Sequence, residues 1–178
     1  MRTKQALLFD WGNTVMRVFA DETGAMVSWR HVAAMPGLQA VLEGLHGSAE
    51  LALATNAVDS SESAIRRALA RAGLDDLFDR VYCFRDVGYR KPSIAFFEAV
   101  LQDLDISPRD VFMIGDDFAS DVVGANAAGL AAVWYAPHTT ERRTGEQYRT
   151  IHAYAELPEA LAALGFDQTA ASPAAPRS

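Results

Sequence analysis

Asp10, the pair Thr55-Asn56, Lys91, and the acids Asp116, Asp117 and Asp121 are far apart in the chain, yet each sits where a short apolar run ends or a helical pattern begins. Carboxylates brought together from two strand ends are the ligand type Mg2+ prefers. A lysine beside a hydroxyl and free N–H groups suits a phosphate oxygen. Plainer readings exist for each residue taken singly. Asp10 could cap the turn after its strand, the later acids could be favourable charges at a helix start, Lys91 a surface cation, and the Thr55 hydroxyl a backbone partner. What decides between these readings is whether the elements around them bring the residues to one place.

Gln5-Ala6-Leu7-Leu8-Phe9 is an apolar run that breaks at Asp10 into Trp11-Gly12-Asn13-Thr14, as a buried strand feeding a polar turn does. The segment Met16 to Trp29 has no sustained period and reads as a flap or short hairpin. Leu38, Val41, Leu42 and Leu45 recur at helical spacing, and Glu50 to Asn56 repeats the theme of a strand with a polar end. Ser60 to Ser63 offers caps to a helix reaching Arg71, with Gly73 as its stop. A third strand at Val81 to Phe84 leads into the loop Asp86 to Pro92. Pro92 suits the start of a helix carrying Phe96, Phe97, Val100, Leu101 and Leu104. Val111 to Ile114 reads as a fourth strand, followed by a helix to Ala128 that stops at Gly129, and Leu130 to Tyr135 as a fifth. Ile151 to Tyr154 is a weak last strand, and Leu157 to Leu164 a closing helix. This alternation predicts an α/β protein with a three-layer, Rossmann-like arrangement: a mainly parallel sheet of about five or six strands covered by helices on both faces. In such a sheet the strand ends that carry Asp10, Thr55 and Asp116 share one edge, the edge where open α/β folds bind ligands.

At 178 residues and half apolar, the chain fits one domain, assigned to 1–166, with an Ala-, Ser- and Pro-rich tail at 167–178 expected to be disordered. A net charge of −7 argues against a broad grip on nucleic acid or an anionic membrane. No apolar run is long enough to cross a bilayer, and Met1-Arg2-Thr3-Lys4 passes directly into the first strand pattern without a signal peptide, so a cytoplasmic location is expected. The single cysteine, Cys83, lies in an apolar run and reads as a small buried hydrophobe; His31, His46, His138 and His152 share no metal-like spacing.

Phe9-Asp10-Trp11-Gly12-Asn13-Thr14, Ala54-Thr55-Asn56, Arg90-Lys91-Pro92 and Gly115-Asp116-Asp117-Phe118-Ala119-Ser120-Asp121 resemble, in order and in placement, the four motifs of the haloacid dehalogenase superfamily, whose members are mostly phosphohydrolases. The resemblance implies that Asp10 is a nucleophile forming an aspartyl phosphate that water then hydrolyses. It implies Mg2+ held by Asp10, Asp116 and the backbone carbonyl of Gly12, with Asp121 supporting the metal or its waters. Thr55 and Lys91 are implied to hold phosphate oxygens, with the Asn56 backbone as a further donor.

One position departs from the family pattern. Most family phosphatases carry a second aspartate two residues after the nucleophile, which protonates the leaving oxygen and later activates water; here that residue is Gly12. General acid–base help is worth about 10²–10⁴-fold, and its loss weighs most on poor leaving groups such as sugar alkoxides. Acyl, aryl and nucleotide diphosphate leaving groups need it less. Asn13 stands where the family usually has glycine, and asparagine tolerates the left-handed backbone that such a turn uses.

Among relatives without the second aspartate, Asp10-Trp11-Gly12 resembles the opening of the phosphonoacetaldehyde hydrolases. Those enzymes need a cap-domain lysine for a Schiff base, and Lys4 and Lys91 are the only lysines here. The dehalogenases work without Mg2+, whereas the acidic motif around Asp116 argues for metal. By comparison with the family, neither the stretch from Thr14 to Leu38 nor that from Lys91 to Asp116 leaves room for a full cap. Two functions are therefore expected to compete. One is an Mg2+-dependent phosphohydrolase or phosphotransferase favouring good leaving groups on a small or macromolecular phosphorylated substrate. The other is a catalytically weak or inactive relative that binds phosphate and metal and acts through a partner. A homo-oligomer is left open.

Overall fold

The computed structural model describes residues 4–169; the predicted tail lies largely outside them, at 170–178. Six strands form one sheet: β1 (Ala6–Phe9), β2 (Glu50–Thr55), β3 (Arg80–Cys83), β4 (Val111–Gly115), β5 (Ala131–Tyr135) and β6 (Tyr148–Ile151). Their order is β3-β2-β1-β4-β5-β6 and every neighbouring pair is parallel. β1 lies inside the sheet, between β2 and β4, so the residue that follows it is flanked by the ends of both neighbours.

The helices divide between the two faces. Leu38, Leu42 and Leu45 of α1 (Leu38–Leu45), Ile65 and Leu69 of α2 (Glu62–Arg71), and Leu157 and Leu161 of α6 (Leu157–Ala163) pack with Leu7, Phe9, Phe112 and Ile114 on one side. On the other, Phe96, Phe97, Val100 and Leu104 of α4 (Ile94–Leu104) and Ala125 of α5 (Gly124–Ala127) pack with Ala6, Leu8, Val111 and Met113. Alternate strand residues thus feed opposite cores, which explains why the strands read as continuous apolar runs. The predicted three-layer α/β fold is the one observed.

Local departures have local causes. Phe84 leaves the third strand and opens the short helix α3 (Phe84–Val87), which ends at Gly88 with φ 81°. The helix predicted to run from the end of the Gly115 to Asp121 segment to Ala128 is instead a π-helical turn, Phe118–Val123, continued by α5. The last strand runs over Tyr148–Ile151 rather than Ile151–Tyr154, because Tyr154 is already in a 3-10 turn leading into α6. Pro92 precedes α4 by two residues, in a turn closed by the Ser93 amide donating to the Arg90 carbonyl (2.9 Å). The segment between Asp10 and α1 contains one 3-10 turn, Met26–Ser28, among the described residues. It is tied down by buried Met26, Trp29 and Met35 and by Arg71, whose guanidinium donates to the carbonyls of Met26, Val27 and Arg30.

Candidate active site

Asp10 follows β1 directly, and its amide donates to the Ile114 carbonyl (2.9 Å), which carries the sheet register one residue further and fixes where the carboxylate starts. Asn13 adopts φ 57°, the left-handed conformation expected of it, and its side-chain oxygen accepts from the Val18 amide (3.2 Å). Gly12 is not in the left-handed region, so the turn itself does not demand glycine there. A Cβ at Gly12 would lie 3.1 Å from Val18 Cγ2 and 3.9 Å from Met26 Cε, which makes the space beside this residue apolar.

Lys91 ties the site together. Its side chain is 1% exposed, and Nζ donates to Asp10 Oδ1 (2.7 Å) and to Asp121 Oδ1 (2.6 Å). Burial alone would pull the ammonium's pKa down, but the two carboxylates outweigh it and the net shift is upward. The surface-cation reading of Lys91 is therefore wrong. Asn56 explains how the lysine is aimed: its side-chain amide donates to the Lys91 carbonyl (2.9 Å) and its oxygen accepts from the Lys91 amide (2.8 Å). The family resemblance implies a role for the Asn56 backbone alone, whereas the Asn56 side chain is committed to gripping the lysine's peptide groups.

Asp121 is 1% exposed and has both oxygens engaged, Oδ1 by Lys91 and Oδ2 by the Asp117 amide (3.1 Å). Burial drives its pKa upward, with Lys91 opposing and Asp10 adding to the shift. The π-helical turn places it: Asp117 caps that turn by accepting from the Ser120 amide (2.9 Å), and Gly115 leaves the space into which Asp121 folds back. A Cβ at Gly115 would meet Asp121 Oδ2 at 2.0 Å. Asp117 thus fits the helix-start reading, and Asp121 does not.

Asp116 is held by Thr14, a residue outside the predicted site set. Thr14, fully buried, donates its hydroxyl to Asp116 Oδ1 (3.2 Å) and accepts from the Asp116 amide (3.1 Å). Trp134 Nε1 donates to the Asp116 carbonyl (2.9 Å). Burial, and then the nearby Asp10 charge, raise the Asp116 carboxyl to about 6. Thr14 lay within a motif and could have been singled out; Trp134 carried no signal, because its strand reads simply as core. Thr55 ends β2, 2% exposed, its hydroxyl oxygen accepting from the Ala57 amide (3.0 Å). One carboxylate oxygen each from Asp10, Asp116 and Asp121 lie within 4.8 Å of one another. An all-oxygen donor set with two carboxyl pKa values pushed up fits a hard divalent cation, which would relieve that repulsion. Of the predicted residues, hydrogen bonds join Asp10, Asn56 and Asp121 to Lys91, and Asp116 stands beside them with a carboxylate oxygen within 4.8 Å of those of Asp10 and Asp121; Gly12 lies in the turn after β1 and Thr55 at the end of β2.

An acidic trio and a buried lysine at the carboxyl end of a parallel sheet define a class of α/β protein with its charged groups gathered at one sheet edge. More narrowly, the chain belongs to the haloacid dehalogenase-like hydrolases, whose family profile matches residues 5–129. It is 31% identical to pyrimidine 5'-nucleotidase PynA of Streptococcus pneumoniae over 63% of this chain and 47% of that protein. It is 33% identical to pyrimidine 5'-nucleotidase YjjG of Escherichia coli over 62% of this chain and 48% of that one. The chain therefore spans about half the length of these relatives. Among solved structures, an uncharacterized protein from Listeria monocytogenes serotype 4b superposes with a TM-score of 0.78 at 25% identity, over 90% of this chain and 98% of its own. No helix among the described residues is long and apolar enough to cross a membrane.

Proposed function

We propose that the chain is a Mg2+-dependent phosphohydrolase or phosphotransferase working through Asp10. The observation that carries this reading is the buried Lys91 shared between Asp10 and Asp121, with Asp116 beside them. A carboxylate attacks a phosphate dianion only where the negative charges are offset, and these residues supply that setting. An Asp10 oxygen bonds to phosphorus as the bond to the leaving oxygen breaks, and the electron pair departs with that oxygen. Water then attacks phosphorus, releasing phosphate and restoring the carboxylate; a second acceptor in place of water makes the same step a transfer. Lys91 and the Thr55 hydroxyl bind phosphoryl oxygens, and Asn56 keeps Lys91 in place. Mg2+, when bound, neutralises charge and polarises the phosphoryl group. Asp10, Asp116 and the Gly12 carbonyl would hold it, and Asp121, with both oxygens occupied, suits support of its waters.

Gly12 leaves the site without a general acid, so acyl and aryl phosphates should be preferred to alkyl esters. The similarity to nucleotidases supports a phosphorylated substrate, and the tied-down segment before α1 supports action without a full cap. A second reading, a weak or inactive relative acting through a partner, draws on the exposed apolar side chains. Val18, Val58, Tyr89, Ile94 and Val123 all lie close in sequence to Gly12, Thr55, Lys91 or Asp121. Purified protein assayed with and without Mg2+ on acetyl phosphate, an aryl phosphate and a panel of sugar and nucleotide monoesters separates the two. Turnover of the first two, abolished in Asp10→Asn, is expected. No turnover of any substrate, together with no beryllium fluoride adduct on Asp10, would sink the enzymatic reading.

A further inference from the structure

Tyr154 lies beyond the residues that the family profile matches, in the 3-10 turn before α6. Its ring is 1% exposed and stacked on Tyr135, with centroids 4.4 Å apart and planes 30° from parallel. A buried phenol has to place its proton somewhere, and this hydroxyl donates to the main-chain carbonyl of Thr14 at 2.5 Å, across 140 residues of sequence. Thr14 is fully buried, so this carbonyl has no water to turn to, and Tyr154 is its donor among the described residues. The other end of the same peptide group is also held, since the Val15 amide donates to the Trp11 carbonyl (3.0 Å). With both ends fixed, the peptide after Thr14 cannot rotate, and the side chain it anchors is the one bonded twice to Asp116.

We propose that Tyr154 is a positioning residue for the cation site: by fixing the Thr14 peptide it sets the hydroxyl that orients Asp116 and closes the turn carrying Asp10 and Gly12. The effect on Mg2+ rests on the function proposed above; the effect on Asp116 does not. Groups hydrogen-bonded directly to a metal ligand typically cost about 10–100-fold in affinity when lost; Tyr154 acts one residue further back, through Thr14, and a loss of about 3–30-fold is expected.

The test compares Tyr154→Phe, which keeps the stacked ring, with Tyr135→Phe, which removes a phenol hydroxyl from the same core without touching Thr14. Mg2+ affinity is measured by calorimetry, and amide hydrogen exchange at Asp116 by NMR with and without the metal. Tyr154→Phe should weaken Mg2+ binding and speed Asp116 exchange, and Tyr135→Phe should do neither. Unchanged exchange at Asp116 in Tyr154→Phe, or equal changes in both variants, would overturn the proposal. Should the wild-type chain take up no Mg2+, the phosphohydrolase reading fails, and Asp116 exchange still decides the role of Tyr154.

Discussion

Replacing Lys91 by methionine keeps the length and apolar stem of the side chain and removes the charge that Asp10 and Asp121 share. Asp10 can turn toward solvent, its side chain being 16% exposed, but Asp121 is 1% exposed and is left as an unpaired buried carboxylate. Breaking a buried pair in this way costs about 3–5 kcal/mol. For a domain of this size that is a fall in melting temperature of roughly 6–20 °C. Asp121 has a way out, because it can take up a proton. Its folded-state pKa is already raised by burial, and loss of Lys91 raises it further. A carboxyl whose folded pKa exceeds its unfolded value binds more protons folded than unfolded, so the variant gains stability relative to wild type as pH falls through that folded pKa. Urea unfolding at pH 8 and pH 5 should therefore show a large deficit at the first and a smaller one at the second. The double variant Lys91→Met, Asp121→Asn should recover most of the loss at pH 8. A deficit below about 1 kcal/mol at pH 8, the scale of an exposed pair, or one equal at both pH values, would refute the view of Lys91 as the buried counter-charge of the site.

Three further outcomes follow from the geometry. Gly12→Asp should raise hydrolysis of alkyl monoesters by up to about 10²-fold and of acyl phosphates much less. Val18, 44% exposed, can yield to the new side chain, and equal effects on both substrates in steady-state kinetics would count against a missing general acid. With the Asp116 carboxyl raised to about 6, the metal-free protein should become more stable as pH falls from 7 through 6, because the folded state then holds the extra proton. Mg2+ affinity by calorimetry should fall over the same range, since proton and cation compete, and a pH-independent affinity would contradict the assignment of Asp116 as a ligand. Gly115→Ala forces a methyl group against Asp121 and should cost about 1–3 kcal/mol in chemical denaturation and weaken Mg2+ binding; a neutral result would mean that Asp121 has another place to go.

The layers of the fold were legible because β1, β2, β4 and β5 bury both faces and read as nearly unbroken apolar runs, and because α1 presents Leu38, Leu42 and Leu45 at helical spacing. The last strand was misplaced by a few residues because Tyr148-Arg149-Thr150 is polar for a strand, and its pairing with β5 rather than its composition makes it one. In the site, the charged residues announced themselves at strand ends and ahead of helical patterns. What went unread were the neutral supports: the Asn56 side chain gripping Lys91, Thr14 gripping Asp116, and Trp134 and Tyr154 behind them. Hydrogen bonds to main-chain carbonyls and amides across long separations leave no periodic mark, and an aromatic residue that donates one looks like any other core residue.

The shared lysine also bears on the order in which the molecule can assemble. Its two carboxylate partners are 81 residues before it and 30 after it, so the cluster closes two long loops at once. Asp10 follows β1 and Asp121 lies in the turn after β4, so both carboxylates come within reach of one lysine only once those two strands have paired. Until Asp121 folds back against Gly115, Lys91 has every reason to stay in water, and the centre of the site stays open. Partly folded forms should therefore carry a solvated lysine and a dispersed acidic trio, so that a cation bound as proposed would act on the last step of folding and draw the chain toward its finished form by mass action.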